Sequence, residues 1–290
     1  MMPSTYPPPV LICICMFGFH VEAVRVLQDP IEKKADANAS LVFDQDEVNL
    51  VFFAGLEGTG HHLMGKILHA RTRSHSKCAV PLSLGSNTLF FSEGNITTVH
   101  ELADLFDTEM GKYAAAGFRL AAISSWPRHS MMSYPDQSMH SASPNLVVMA
   151  DVARQANVTL RVIVLERDAD MMLRDGCIRK KYAPTCEADV ERLVHHGRIL
   201  LNDLQASEGI NTFCVPYDEF NEAATSLAHF LVADEIEDIV QATFKPHDHE
   251  HDELLDQIKG PLEEHVAVVS DYCKSRSITI NTLTRGLFAA

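Results

Sequence analysis

From Glu47 onward, apolar and polar positions fall into two alternating kinds of run. Val48 to Phe53 and Leu160 to Leu165 are short and almost wholly apolar, the signature of strands covered on both faces in a parallel sheet. Leu120 to Ile123 and Phe213 to Val215 read as two further short strands. Between them the apolar positions recur at helical spacing. A helix is expected from about His61 to Ala70, one from Thr98 to about Glu109, and one over Leu146 to Gln155. Another runs from Glu187 to Ala206, with Val190, Val194, Leu201 and Leu204 on one face. Two shorter helices follow, one containing Leu227, Phe230 and Leu231 and one around Ile236 to Ala242. Thr98 and Glu101 form a capping box at the start of theirs. Strands alternating with helices predict an α/β fold with a mainly parallel sheet flanked by helices.

Two stretches break this rhythm. Residues 126–144 are rich in Ser, Pro, Met and His, and loops of that length usually carry function. Residues 24–46 are polar and charged and read as a linker. Ahead of them, Val10 to Phe19 is apolar. This run is shorter than the roughly 20 residues that span a bilayer and matches the core of a signal peptide, with Val21-Glu22-Ala23 offering a cleavage point. The expected organisation is 1–23 as signal peptide or short anchor, 24–46 as linker and 47–290 as one α/β domain. An uncleaved N-terminal anchor is the one membrane attachment expected.

Composition narrows the class. The chain is 46% hydrophobic and 22% charged, enough apolar content for a full core. Its 24 basic and 39 acidic residues give a net charge of −15, which opposes nucleic acid and anionic membrane surfaces. Asn38, Asn95 and Asn157 each begin a glycosylation sequon. With the apolar N-terminus, these point to the secretory pathway, as a Golgi-lumenal or secreted protein. Beyond the signal, Cys78, Cys177, Cys186, Cys214 and Cys273 remain, an odd number that leaves at least one unpaired or intermolecular. Cys177 and Cys186 bracket a short polar loop and are the expected disulfide.

The richest chemistry lies between the first strand and the first helix, in Gly55-Leu56-Glu57-Gly58-Thr59-Gly60-His61-His62. Glycines let several backbone N–H groups converge on one anion, and the helix start adds its positive dipole end. Gly58, Thr59, Gly60, His61 and His62 are the candidate anion ligands. The spacing fits G-x-x-x-x-G, but His61 and His62 stand where a nucleoside-triphosphatase loop needs Lys and Ser or Thr. That disfavours ATP hydrolysis with Mg²⁺.

This loop resembles that of the sulfotransferases, whose loop of the type Lys/Arg-x-Gly-Thr binds the 5′-phosphosulfate of PAPS (3′-phosphoadenosine 5′-phosphosulfate). Gly58-Thr59 matches its Gly-Thr step, whereas the basic position holds Leu56 or, in the other alignment, Gly58. Leu160 to Asp168 is similar to the family's strand ending in Arg-Asp, whose Arg contacts the 3′-phosphate. That assigns Arg167 to the donor. The family's Ser, eight residues after the Arg, is Asp175 here. Val215 to Leu231 resembles the family's short strand, Tyr turn and helix. The resemblance covers about residues 48–231 and implies a P-loop-like three-layer architecture with PAPS as donor substrate and no metal.

The activity it implies is transfer of a sulfuryl group to a hydroxyl acceptor, with carbohydrates among the candidates. His61, His62 and Glu57 are the candidate bases near the loop, histidine because its pKa lies near working pH. Two other classes stand beside this one. A non-catalytic nucleotide- or anion-binding protein on the same fold is favoured by the missing Lys and Ser. A kinase-like phosphoryl transferase would need both a loop Lys and a Mg²⁺ ligand. His129, His140 and Trp126 lie in the long loop. The alternating His247, His249 and His251 among acidic residues read as a solvated loop before a metal site.

Overall fold

The computed structural model describes residues 48–74, 79–83, 99–124, 133–135, 142–207, 210–233, 235–245 and 252–287. All of them belong to one compact unit, Phe43–Ala290. The expected signal and linker, the sequons at Asn38 and Asn95, and Thr98, Trp126, His129, His140 and the 247–251 histidines lie outside the described residues.

Five parallel strands form the sheet: β1 (Asn49–Ala54), β2 (Ala79–Ser83), β3 (Leu120–Ser124), β4 (Leu160–Glu166) and β5 (Asn211–Pro216). Their spatial order is β2-β3-β1-β4-β5, so β1 and β4, the two most apolar runs, take interior places. The edge strand β2 contains Pro81, a residue that edge strands tolerate because one side of their backbone makes no ladder bonds.

Both faces of the sheet are covered. Because side chains alternate along a strand, Leu50, Phe52 and Ala54 of β1 enter one hydrophobic cluster and Val51 and Phe53 the other. The first cluster packs against α2 (Val99–Ala115), α3 (Leu146–Gln155) and α5 (Cys186–Ala206). It also receives Leu255 of α8 (Glu253–Ile258) and Leu262 and Val269 of α9 (Gly260–Leu287). The second holds α1 (His61–Ser74), α6 (Ala224–Phe230) and α7 (Glu235–Thr243). The parallel α/β expectation is met.

Two disulfides fasten the unit. Cys177 and Cys186 are joined as expected, with Cα atoms 5.2 Å apart. Their bond joins the π-helical turn (Arg174–Lys180) that follows α4 (Ala169–Leu173) to the start of α5. The second, Cys214–Cys273, ties β5 to α9 across 59 residues. Two such bonds belong to an oxidising, secreted or lumenal environment. No helix among the described residues is long and apolar enough to cross a membrane. Asn157, the one sequon residue among the described residues, is exposed in a turn with φ 54°.

Candidate anion site at the Gly-rich loop

The connection after β1 leads through α1 to β2 on one side of the sheet, and the connection after β3 leads through α3 to β4 on the other. Such reversals of strand order open crevices at the carboxyl ends of the strands, where α/β proteins bind ligands. The Gly-rich loop lies there, between β1 and α1.

Two glycines set its path. Gly58 has φ 92° and Gly60 φ 118°, values that other residues rarely adopt. A Cβ on Gly58 would lie 3.1 Å from the Cα of Met172, and one on Gly60 would lie 3.1 Å from the Tyr217 ring. Helix α4 and the turn after β5 thus press directly on the loop. Among the described residues, no main-chain carbonyl accepts from the amides of Gly58, Gly60 or His61. These donors stand at the N-terminus of α1, the arrangement that suits an anion.

The expected ligands divide into inward and outward groups. Thr59 is buried, and its hydroxyl donates to the Leu56 carbonyl at 2.7 Å. His61 is buried as well, with Nε2 3.1 Å from the Phe53 carbonyl and Nδ1 3.5 Å from the Thr59 hydroxyl. Donating to that carbonyl requires the proton on Nε2. Burial drives the His61 pKa down to about 3; the Phe53 carbonyl opposes this, while the charges of His62 and Lys180 lower it further. The ring is therefore neutral and braces the loop from beneath. His62, one residue on, is exposed at the start of α1.

Glu57 is buried and engaged. Its carboxylate accepts from Arg192 Nη1 at 2.8 Å and is hydrogen-bonded by the Tyr182 hydroxyl. Arg192, from α5, also grips the wholly buried Asp189 through Nε at 2.9 Å and through Nη2. Burial and the neighbouring Glu57 push the Tyr182 hydroxyl well above its ordinary pKa.

Arg167, just beyond β4, closes the other side. Its Nη1 donates to the Gly58 carbonyl at 2.6 Å and to Asp175 at 2.8 Å. Its guanidinium lies 4.3 Å over the Tyr217 ring, and its buried Nε has no hydrogen-bond partner among the described residues. Asp175 also accepts from Arg179 at 2.7 Å. The loop, Arg167 and Tyr217, three segments far apart in sequence, thus converge at one place.

From the long loop, Tyr134 crosses the Gly-rich loop. Its amide donates to the Gly55 carbonyl at 2.9 Å, and its carbonyl accepts from the Glu57 amide at 3.1 Å. Its fully buried hydroxyl donates to Asp203 at 3.0 Å. Sequence reasoning did not reach Tyr134, Tyr182, Arg192 or the site role of Tyr217. Asp175 had a signal, its spacing from Arg167.

A metal finds no set of ligands in this crevice among the described residues. The one clustered group of candidate ligands among the described residues, Glu166, Cys214 and Cys273, has its two sulfurs joined as a disulfide. No protein-family model matches the chain, and no curated protein matches it.

Proposed function

We propose that this protein is a PAPS-dependent sulfotransferase of the secretory pathway, placed in the Golgi lumen or secreted, with a P-loop-like phosphate site. The observation that carries this reading is the convergence at one crevice of three ordered motifs: the amide-lined Gly loop, Arg167 and the Tyr217 turn. The loop amides would hold the 5′-phosphosulfate, and Arg167 would face the 3′-phosphate.

In the reaction, an acceptor hydroxyl oxygen attacks sulfur as the bond from sulfur to the 5′-phosphate oxygen breaks. The hydroxyl proton passes to a base, and adenosine 3′,5′-bisphosphate (PAP) leaves with the electron pair. Of the three candidate bases, His61 is buried against Phe53 and Glu57 is ion-paired with Arg192. His62 is exposed at the loop and is assigned the proton. Carbohydrate hydroxyls are the acceptor class to try first.

A second reading has its own observation. Asp175 already neutralises Arg167, as a bound phosphate would, which favours a non-catalytic anion-binding protein on this fold. PAP should raise the melting temperature under either reading, because a ligand at 100 times its Kd adds about 2.7 kcal/mol. ATP with Mg²⁺ should do so only for a phosphoryl transferase. Transfer of labelled sulfate from PAPS to a panel of sugars and alcohols then separates enzyme from binder. Absence of any PAP-induced shift would remove the PAPS reading.

A further inference from the structure

The Gly-rich loop carries no lysine. Where a basic residue is expected the chain has Leu56 or Gly58, and the charged residue between them is Glu57. Glu57 is neutralised from below by Arg192, so it neither repels an anion strongly nor attracts one. Three arginines around the crevice are paired with carboxylates. Arg167 and Arg179 share Asp175, and Arg192 holds Glu57 and Asp189.

Lys180 differs from all of these. It is the last residue of the π-helical turn and is exposed, with no carboxylate partner among the described residues. Its ammonium lies 5.3 Å from the centre of the Tyr182 ring, a cation–π contact that leaves N–H donors available. The Tyr182 hydroxyl in turn is hydrogen-bonded to Glu57 in the loop.

Its backbone is held by two bonds. The Cys177–Cys186 disulfide closes the segment around it. The Tyr182 amide donates to the Gly176 carbonyl at 3.0 Å. Lys181 takes φ 54° and ends the turn, so two adjacent lysines sit on differently directed backbone.

We propose that Lys180 is the cation of the anion site at the Gly-rich loop, delivered by the disulfide-closed turn in place of a loop lysine. This deepens the PAPS reading and rests on it for the identity of the ligand. A lysine ammonium acts on phosphate as a mobile point charge on a flexible stem. It can therefore serve the loop from a separate segment, provided that segment is held still.

The test is isothermal titration of the full oxidised chain with two probes, PAP and inorganic pyrophosphate. Lys180→Ala should weaken binding by about 10- to 100-fold, the range of one charge-assisted contact. Lys180→Arg should restore most of it, and Lys181→Ala should change it less than about threefold. Melting temperatures of the apo variants should match wild type, since the side chain is exposed. Equal affinity of Lys180→Ala and wild type overturns the proposal, and so does an equal loss in Lys181→Ala, which would mean diffuse surface charge. Wild type that binds pyrophosphate through Lys180 but ignores PAP overturns the donor and leaves the cation assignment standing. Wild type that binds neither probe overturns both.

Discussion

The Gly-rich loop is held from two sides by an arginine, and the two grips are built in opposite ways. On one side the loop supplies the anion, Glu57, and Arg192 from α5 meets it together with the buried Asp189 of its own helix. On the other the loop supplies only a carbonyl, Gly58, and Arg167 finds its counter-charge in Asp175. The Arg192 side is closed, because the side chains of Arg192, Glu57 and Asp189 are at most 14% exposed. On the Arg167 side the carboxylate is the more open partner: Arg167 is 4% exposed, whereas Asp175 is 19% exposed and shared with Arg179. A strut requires charges that never leave one another; a ligand contact requires a cation whose partner can be displaced.

Removing Arg192 should have the largest effect on that comparison. Arg192→Ala strands Glu57 and Asp189 without their cation, and a broken buried pair costs about 3–5 kcal/mol. Arg167→Ala should cost less, since Asp175 keeps Arg179 and some solvent. Urea unfolding of both variants gives the order. Equal losses would erase the distinction between strut and exchangeable contact.

The next effect concerns what both grips hold. Gly58→Ala forces a Cβ onto the Cα of Met172 at 3.1 Å, at a φ of 92°. Backbone strain of that kind costs about 1–3 kcal/mol. The same substitution should also weaken PAP binding, because the amide at position 58 would tilt. A variant with wild-type melting temperature and wild-type PAP affinity would show that the loop path is not fixed by this glycine.

Acid should loosen the loop from beneath. His61 has an ordinary pKa of 6.5 and one of about 3 when buried in the fold. Between those values the unfolded chain binds more protons than the folded one, so stability falls as pH is lowered. The contribution is complete above about pH 6.5 and is lost as pH drops towards 3. His196, lowered to about 4 by burial and by His195 and Arg192, adds loss over the upper part of that window. His61→Gln retains a donor for the Phe53 carbonyl without a titrating ring. It should flatten part of the slope in melting temperature against pH. An unchanged slope would mean that His61 is not the group being protonated.

These groups were unequally legible in the sequence. The strands β1 and β4 announced themselves because interior parallel strands are apolar on both faces. Strand β2 did not, because Pro81 argues against a strand unless the strand is an edge, and edges are decided by topology. The Cys177–Cys186 bond was readable from its nine-residue spacing, whereas Cys214–Cys273 is one pairing among several until β5 and α9 are placed. The Gly-rich loop was recognisable as a local pattern, but the partners that define it are remote. Arg192 is 135 residues from Glu57, and a lone arginine on a helix carries no mark of the carboxylate it will meet. The 100° between His61 and His62 on a helix implied that they would face differently, without saying which ring would be buried.

The smallest expected effect is the most specific test of the exchangeable side. Arg167 and Arg179 use different oxygens of Asp175, so Asp175→Asn removes the charge and keeps an acceptor oxygen for only one of them. Arg167 is only 4% exposed, but one hydrogen bond and the solvent at Asp175 remain, so the loss of stability should be about 1–2 kcal/mol, below that of breaking the Arg192 pair. If Arg167 is the contact for the 3′-phosphate, its guanidinium then meets PAP without first giving up a carboxylate, and affinity should rise by about tenfold. Adenosine 5′-phosphate, which lacks the 3′-phosphate, should gain little, so the ratio of the two affinities in wild type and variant reads the contact directly. A gain shared equally by both nucleotides would mean that Asp175 acts only through the general field of the crevice. Unchanged affinity for both, together with normal PAP binding by Arg167→Ala, would make Arg167 a second strut and move the 3′-phosphate to another cation.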